Sequence, residues 1–443
     1  MEYQEIPYKS SFNTISHNSF AAPPFKPMMH FTPTPQPRFI IVSVVRSPAG
    51  RATLNLLAEQ AQSLGLAWRG TLADQLAEAH VENSTLADQL PHLFALLQII
   101  NGSESSALRE LFRFECDRKT KPGTTSFAAV EPDYPLHFSL TSNIGTNFDL
   151  SATGSYHQQY RDSILHVDNA HQNQIYGDTI KIAIVDSGVE KAGIATNFED
   201  LEKVGNQSVI DANGHGTAMA SIIRDIAPNA TLTAIRISDG MPRMWKFMLG
   251  VSSASFGHIA DIINLSLGLD SIPTSCSRCG LFSPGLSNNL EYFLEGISQK
   301  SVGAYGPPLL VASTGNDGHS SNFSFPAEWD FTIAVGSINS SLARSGFSNY
   351  GNTGHPAFLV MPGGDEDINN NPTEWIGKGN GGECYGTSPA TAYASGMLAL
   401  YLSIPANQKT NRKQLLTSIL TKCDKTFNGF DPTQHGRGFL PYI

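Results

Sequence analysis

The sequence predicts an α/β protein with a mostly parallel sheet, preceded by a small α+β domain. Residues 182–185 form an apolar, largely β-branched run, which is typical of a strand buried on both faces of a parallel sheet. Residues 215–223 and 388–400 have the composition of buried helices, and the second stretch is rich in small side chains. A chain of 443 residues is long for one hydrophobic core, so we expect about two domains and a tail.

The N-terminal third of the chain predicts the smaller domain. Residues 39–45 predict a strand, and residues 52–64 have the apolar spacing of a helix. Residues 86–100 predict a second helix, which the polar residues 83–85 would cap. This content of strand and helix indicates a small α+β unit.

Composition sets the domain boundaries. Residues 1–37 are rich in Pro, Phe, Ser and Asn and predict an extended or disordered arm. We assign residues 38–150 to the small α+β domain and residues 151–443 to the larger α/β domain.

Three short strings supply the groups of a catalytic triad. Asp186 ends the buried run, His215 lies between two glycines at a predicted helix start, and Ser388 begins the small-residue helix. A serine hydroxyl is a poor nucleophile unless a histidine takes its proton, and that histidine needs a carboxylate to fix its tautomer. Each string alone is common, so the prediction depends on their occurring together in the order Asp, His, Ser.

These strings and their surroundings resemble the subtilisin-like serine proteases, the subtilase family. The resemblance runs from about residue 156 to the C-terminus and includes residues 262–268, residues 309–318 and the closing residues 435–438. It implies a doubly wound, mostly parallel sheet with helices on both faces, and hydrolysis of peptide bonds through an acyl-enzyme. One position departs from the family pattern, because Pro389 follows Ser388 directly instead of coming three residues after it.

The same resemblance assigns roles to individual residues. Ser388 would attack the peptide carbonyl, His215 would shuttle the proton and Asp186 would orient His215. Asn316, whose Gly-Asn-Asp-Gly string alone would indicate only a turn, would stabilise the oxyanion together with the Ser388 backbone N–H. The catalytic prediction is therefore a serine endopeptidase, and the alternative is a catalytically silent protein that binds peptides in the same cleft.

The resemblance also implies a pocket for the substrate residue before the scissile bond, the P1 residue. A serine at its floor shortens the pocket, and a carboxylate at a solvated mouth attracts a basic side chain only weakly. We therefore expect broad cleavage with a preference for medium apolar or Lys side chains. The predicted pocket residues are Leu265, Ser266, Leu267 and Gly268 on one wall, Ser313, Thr314 and Gly315 on the other, Ser324 at the floor and Asp317 near the mouth.

Residues 38–150 allow two interpretations. Their place directly before the catalytic domain resembles the inhibitory, folding-assisting propeptide of the family, whose C-terminal end would lie along the cleft as a strand at the edge of residues 265–268. The alternative is a regulatory domain that binds or senses a partner.

Charge and composition limit the partners. A net charge of −10 argues against nucleic acid, because phosphate binding requires a positive face. No run of about 18 apolar residues predicts a membrane span, so we expect protein or peptide substrates and no membrane partner. The first residues lack the basic and apolar segments of a secretory signal, which predicts a cytoplasmic protein and leaves secretion of a trimmed chain open.

The cysteines predict no metal site. Five cysteines, an odd number, fit a reducing compartment. Cys276 and Cys279 have a suggestive spacing, but no second such pair exists, so we expect no zinc. No cofactor is required, and structural Ca²⁺ is possible by family resemblance without identifiable ligands. The acidic residues 364–367 are best interpreted as a solvated loop.

Overall fold

A computed structural model describes most of the chain after residue 37. The described residues are 38–118, 123–138, 144–190, 194–200, 211, 213–238, 242–269, 287–408 and 410–443, and they belong to one compact unit, residues 38–443. The predicted N-terminal arm and the pair Cys276 and Cys279 lie outside the described residues.

The first part of this unit is built on a four-stranded antiparallel sheet of order β2-β3-β1-β4. Its strands are β1 (Phe39–Val45), β2 (Leu66–Thr71), β3 (His92–Ile99) and β4 (Phe127–Pro132). Its helices are α1 (Pro48–Gln60), α2 (Leu72–Glu78) and α3 (Glu104–Arg118), with 3₁₀ turns at Ala61–Leu64 and Ser84–Gln89.

Two of the three elements predicted in this region are confirmed. The strand at residues 39–45 is β1, and the helix at residues 52–64 is α1 with its 3₁₀ end. The helix predicted over residues 86–100 is wrong, because residues 92–99 form β3. The run Leu93–Leu97 is continuously apolar, so its spacing suits a buried strand as well as a helix. Residues 92–99 form a strand because they pair with both β1 and β2.

The second part contains the predicted parallel sheet. Seven strands follow the order β13-β12-β11-β9-β6-β8-β7, and every pair is parallel. Strands β9, β11, β12 and β13 are buried along their whole length, as expected when helices cover both faces. The α/β fold class is confirmed. The strands are β6 (Lys181–Asp186), β7 (Asn197–Asp200), β8 (Thr231–Arg236), β9 (Ile262–Leu265), β11 (Leu309–Ser313), β12 (Ile333–Ile338) and β13 (Phe358–Pro362).

Helices surround this sheet, and two of them pack against each other beneath the predicted site. Helix α8 lies against β9, β11, β12 and β13, while α5 lies against β6, β8 and α8. The helices are α4 (Val167–Gln172), α5 (His215–Ile226), α6 (Met244–Ser252), α7 (Asn288–Gln299), α8 (Thr387–Ser403), α9 (Arg412–Leu420) and α10 (Pro432–His435), with π-helical turns at Gln159–Ile164 and Ser253–Gly257.

Short two-stranded pairs complete the fold. They join β10 (Leu267–Gly268) to β5 (His137–Phe138), β14 (Asp365–Glu366) to β15 (Pro372–Glu374), and β16 (Gly377–Lys378) to β17 (Glu383–Cys384). Only the first pair connects the N-terminal part of the chain to the predicted cleft.

The antiparallel sheet packs on helices of the larger domain through apolar side chains. Leu72, Leu76 and Phe94 are buried in the same hydrophobic core as the parallel sheet. The ring of Phe94 meets that of Phe293 on α7 edge to face, with centroids 5.9 Å apart. One face of the antiparallel sheet therefore shares the core of the larger domain, and the other face packs with α1 and α3 in a separate core.

Two carboxylates of the N-terminal part also cap helices of the larger domain. Glu131 accepts hydrogen bonds from the backbone N–H of Asn288 (2.8 Å) and the hydroxyl of Ser287 (2.7 Å) at the start of α7. Asp133 accepts one from the backbone N–H of Trp245 (2.8 Å) at the start of α6. Burial raises the pKa of both carboxyl groups. Negative groups at helix N-termini are stabilising, so these contacts help to fix how β4 lies on α6 and α7.

Within the described residues, no helix has the length and apolar character needed to cross a membrane.

Candidate active site

The three predicted triad residues lie at the ends of three different elements. Asp186 is the last residue of β6, His215 is the first of α5, and Ser388 is the second of α8. Pro389 occupies the first turn of α8, where no intrahelical partner for a backbone N–H is required, so the departure from the family pattern does not interrupt the helix.

The structure brings these side chains into hydrogen-bond contact. His215 Nδ1 lies 2.6 Å from Asp186 Oδ1, and His215 Nε2 lies 3.0 Å from Ser388 Oγ. The Ser388 hydroxyl is also 3.0 Å from the backbone carbonyl of Ser266. This arrangement fixes the histidine tautomer with its proton on Nδ1, which leaves Nε2 as the base that faces the serine.

Asn316 presents an amide donor beside this group. Its Oδ1 accepts hydrogen bonds from the backbone N–H and the hydroxyl of Thr387, each 2.9 Å long. Its Nδ2 is buried and has no hydrogen-bond partner among the described residues. A buried donor without a partner is costly, and such a donor is what an oxyanion requires.

The predicted pocket walls also come together. Ser324 donates its backbone N–H to Thr314 (2.8 Å), and Gly268 lies across from it, since a Cβ at Gly268 would approach Ser324 Cβ to 3.0 Å. A Cβ at Gly315, where φ is +100°, would lie 2.2 Å from Ser324 Oγ. Ser324 therefore fills the space between the two walls. Ser313 is buried in β11 and Asp317 is exposed.

Leu265 lies deeper than the other residues of its wall. It ends β9 and pairs with Ala312 inside the parallel sheet. The edge that faces the cleft begins at Leu267.

The buried side-chain amide of Asn264 links Ser266 to helix α8, which carries Ser388. Asn264 Nδ2 donates to Ser266 Oγ (2.9 Å), and Asn264 Oδ1 accepts from the Ser395 hydroxyl on α8 (3.0 Å). Ser266 Oγ in turn donates to the Ser388 carbonyl (3.2 Å). Asn264, Ser266, Ser388 and Ser395 are therefore held in one hydrogen-bonded network.

The cleft contains a segment of the chain itself, residues 134–138, which we call the cleft segment. His137 and Phe138 pair antiparallel with Gly268 and Leu267. On the other side, the Leu136 N–H donates to the Pro242 carbonyl (2.7 Å), and the Tyr134 carbonyl accepts from the backbone N–H that begins α6 (2.8 Å). The segment therefore adds a strand between two edges of the larger domain.

Phe138 covers His215, the histidine of the candidate triad. Its ring stacks on that of His215 with centroids 4.8 Å apart and an angle of 29° between the planes. His215 and Ser388 are both 0% exposed, and so is Leu136 within the cleft segment. The side chains of His215 and Ser388 are therefore shielded from solvent in this structure.

Sequence reasoning missed three residues of this site. Phe138 carried no local signal, because its contact with His215 joins distant parts of the chain. Asn264 lies within residues 262–268. A polar residue inside this apolar strand is the feature of the sequence that could have indicated its role. Asp211, four residues before His215, is fully buried and accepts hydrogen bonds beside the triad.

The solvated loop predicted at residues 364–367 is wrong for Asp365 and Glu366, which form the half-buried strand β14. Asp365 accepts hydrogen bonds from the backbone N–H of Gly346 (2.9 Å) and the side chain of Asn339 (2.8 Å). Asp367 accepts backbone hydrogen bonds within its own turn. Across the part of the chain that the structure describes, no group of three or more His, Cys, Asp or Glu side chains is placed to hold a metal ion.

A doubly wound sheet with an Asp-His-Ser group across its strand and helix ends is the architecture of a serine peptidase. Comparison with known proteins agrees, since a family model described as the subtilase family matches residues 177–438. The chain belongs to the subtilase family, a family of serine peptidases.

Similar proteins include three bacterial proteases. Subtilisin DY of Bacillus licheniformis is 27% identical over 306 residues, which cover 63% of this chain and 96% of that protein. Subtilisin E of Bacillus subtilis (strain 168) is 27% identical over 254 residues, covering 53% of this chain and 58% of that protein. The minor extracellular protease Epr of the same strain is 28% identical over 284 residues, covering 59% of this chain and 38% of that protein.

Proposed function

We propose that the chain is a serine endopeptidase whose triad is Asp186, His215 and Ser388. The observation that carries the proposal is the pair of contacts made by His215, 2.6 Å to the carboxylate and 3.0 Å to the hydroxyl. A histidine held in this way can accept the serine proton and return it to the leaving amine, with the carboxylate stabilising the imidazolium in between.

The proposed reaction has two halves. Ser388 Oγ attacks the substrate carbonyl while its proton moves to His215 Nε2, and the tetrahedral intermediate collapses to an acyl-enzyme as that proton passes to the departing amine. Water then adds to the acyl group by the same proton path and releases the acid. Asn316 Nδ2 and the Ser388 backbone N–H would donate to the oxyanion in both halves.

Asn316→Ala tests the oxyanion assignment. Because the Asn316 amide would act on the charged intermediate and not on the bound substrate, we expect kcat to fall by about 10²–10³, the loss measured for the corresponding change in subtilisin, with little change in KM. Steady-state kinetics on a peptide substrate would measure both constants, with Asn369→Ala in an exposed loop as the control. A rise in KM at unchanged kcat would contradict the assignment.

The second part of the proposal is that the N-terminal domain inhibits the enzyme by occupying the cleft. The cleft segment has the strand geometry of a bound peptide, and Phe138 covers the base that would act on substrate. Substrate can bind only when this segment leaves. The alternative, a catalytically silent peptide-binding protein, has no observation in its favour, because the triad contacts are complete.

Ser324, at the floor of the predicted P1 pocket, supports a proposal about which substrates are cleaved. The Ser324 side chain lies between Gly268 and Gly315, and this position supports the proposal of a short P1 pocket that prefers medium apolar or Lys side chains. We expect Ser324→Gly to raise kcat/KM for substrates with Phe or Tyr at P1 by about tenfold, because about 1–3 kcal/mol of apolar binding becomes available. Paired peptides that differ only at P1 would measure this, and an unchanged preference would place the pocket floor elsewhere.

A further inference from the structure

A buried carboxylate that is not part of the triad lies directly beside it. The side chain of Asp211 is fully buried. Its Oδ1 accepts hydrogen bonds from the backbone N–H of Gly214 and the hydroxyl of Ser187, each 2.8 Å long. Its Oδ2 accepts from the backbone N–H (2.8 Å) and the hydroxyl (2.5 Å) of Thr217. These partners flank both Asp186 and His215 in the sequence.

Ser187 can give its hydroxyl proton to either of two carboxylates. Asp211 Oδ1 lies 2.8 Å from Ser187 Oγ, and Asp186 Oδ1 lies 3.2 Å from it. A hydroxyl has one proton, so the shorter contact is the donated hydrogen bond. The backbone N–H of Gly216 donates to Ser187 Oγ (3.0 Å), which holds the hydroxyl in this orientation.

The direction of the Ser187 hydroxyl proton matters because the hydrogen bonds to the Asp186 carboxylate are all made to one oxygen, Oδ1. Asp186 Oδ1 receives His215 Nδ1–H at 2.6 Å and the Ser187 backbone N–H at 2.7 Å. Asp186 Oδ2 is buried and has no hydrogen-bond partner among the described residues. A third donor on Oδ1 would compete with His215 for the same negative charge.

We propose that Asp211 is a positioning residue that keeps the Ser187 hydroxyl proton off Asp186 Oδ1 and so reserves that oxygen for His215. The inference rests on the proposed function. Without the Asp211 carboxylate, the Ser187 hydroxyl turns toward Asp186 and weakens its hydrogen bond to His215. The imidazolium is then stabilised less, and proton transfer from Ser388 slows.

The test follows the proton on His215 Nδ1 by low-field proton NMR of the full chain, which needs no substrate. Asp211→Asn puts a neutral amide, a weaker acceptor, in place of the carboxylate. We expect the resonance to shift upfield or to broaden through exchange. The double variant Asp211→Asn/Ser187→Ala removes the competing hydroxyl, and we expect the resonance to return to its wild-type position.

Two single variants keep the test independent of whether Asp211→Asn folds. Ser187→Ala alone is expected to leave the resonance in place, because the wild-type hydroxyl already points to Asp211. Thr217→Val removes a hydroxyl donor from Asp211 Oδ2 but leaves Ser187 bound, so the resonance should again stay in place. An upfield shift in Ser187→Ala, an unshifted Asp211→Asn, or an Asp211→Asn shift that persists in the double variant would each overturn the proposal.

Kinetic and labelling measurements distinguish a failure of the Asp211 proposal from a failure of the proposed peptidase function. In an enzyme that hydrolyses peptides, Asp211→Asn should lower kcat by about 10–100-fold at nearly constant KM, the effect of weakening one hydrogen bond to a charged group. A Leu136→Ala chain, whose cleft segment is weakened, that fails to react with a fluorophosphonate probe would refute the proposed function alone, since the resonance pattern does not depend on turnover.

Discussion

Ser388→Ala is expected to abolish peptide hydrolysis. The Ser388 hydroxyl lies 3.0 Å from His215 Nε2 and is the group proposed to form the acyl-enzyme, which His215 alone cannot replace. In subtilisin the loss of the equivalent serine lowers kcat by about 10⁶, and we expect the same order here. Hydrolysis of a fluorogenic peptide over long incubations would measure the remaining rate.

The control is a second buried serine on the same helix. Ser403 lies near the end of α8, donates its hydroxyl to the Leu400 carbonyl and is 4% exposed. Ser403→Ala should lose some stability, seen as a lower melting temperature, and retain its kcat. Equal residual rates in the two variants would mean that Ser388 is not the nucleophile.

Weakening the cleft segment is expected to raise activity. Leu136 is fully buried, and truncating a buried leucine to alanine costs about 2–3 kcal/mol. If this energy holds the segment in the cleft, Leu136→Ala increases the open fraction by about 30–160-fold, and the rate rises by the same factor until the open state dominates. Phe138→Ala should act in the same direction, because it uncovers His215.

The matched control is an apolar side chain of the N-terminal domain outside the cleft. Phe112 on α3 is 60% exposed, so Phe112→Ala should leave the rate unchanged. The rates are measured on the uncut full chain, followed by gel electrophoresis during the assay. If Leu136→Ala and Phe138→Ala both keep the wild-type rate, the segment does not inhibit, and residues 38–150 are better interpreted as a partner-binding domain.

The sequence predicted the parallel sheet and the candidate triad because their signals are local. The apolar run before Asp186, the glycines beside His215 and the small residues after Ser388 each lie within a few positions. The pocket residues were predicted from the resemblance to the subtilase family, which rests on the order of the short motifs along the chain. The error over residues 86–100 arose because a continuous apolar run does not distinguish helix from strand without its pairing partners.

The remaining features depend on contacts between distant residues. Nothing near Phe138 in the sequence indicates that its ring stacks on His215. The direction of the Ser187 hydroxyl depends on Asp211, which the fold brings to the turn after β6. Such networks form only after the sheet has placed the ends of its strands and helices together, so periodicity and short motifs do not reveal them.

Covalent labelling of the uncut Leu136→Ala chain with a fluorophosphonate probe, followed by mass spectrometry of its peptides, tests the proposed nucleophile most directly. We expect one phosphonyl group per chain, attached to Ser388, and labelling that is faster than in the wild type. Because the probe requires an activated serine, no labelling in either chain, or labelling at a serine other than Ser388, would contradict it.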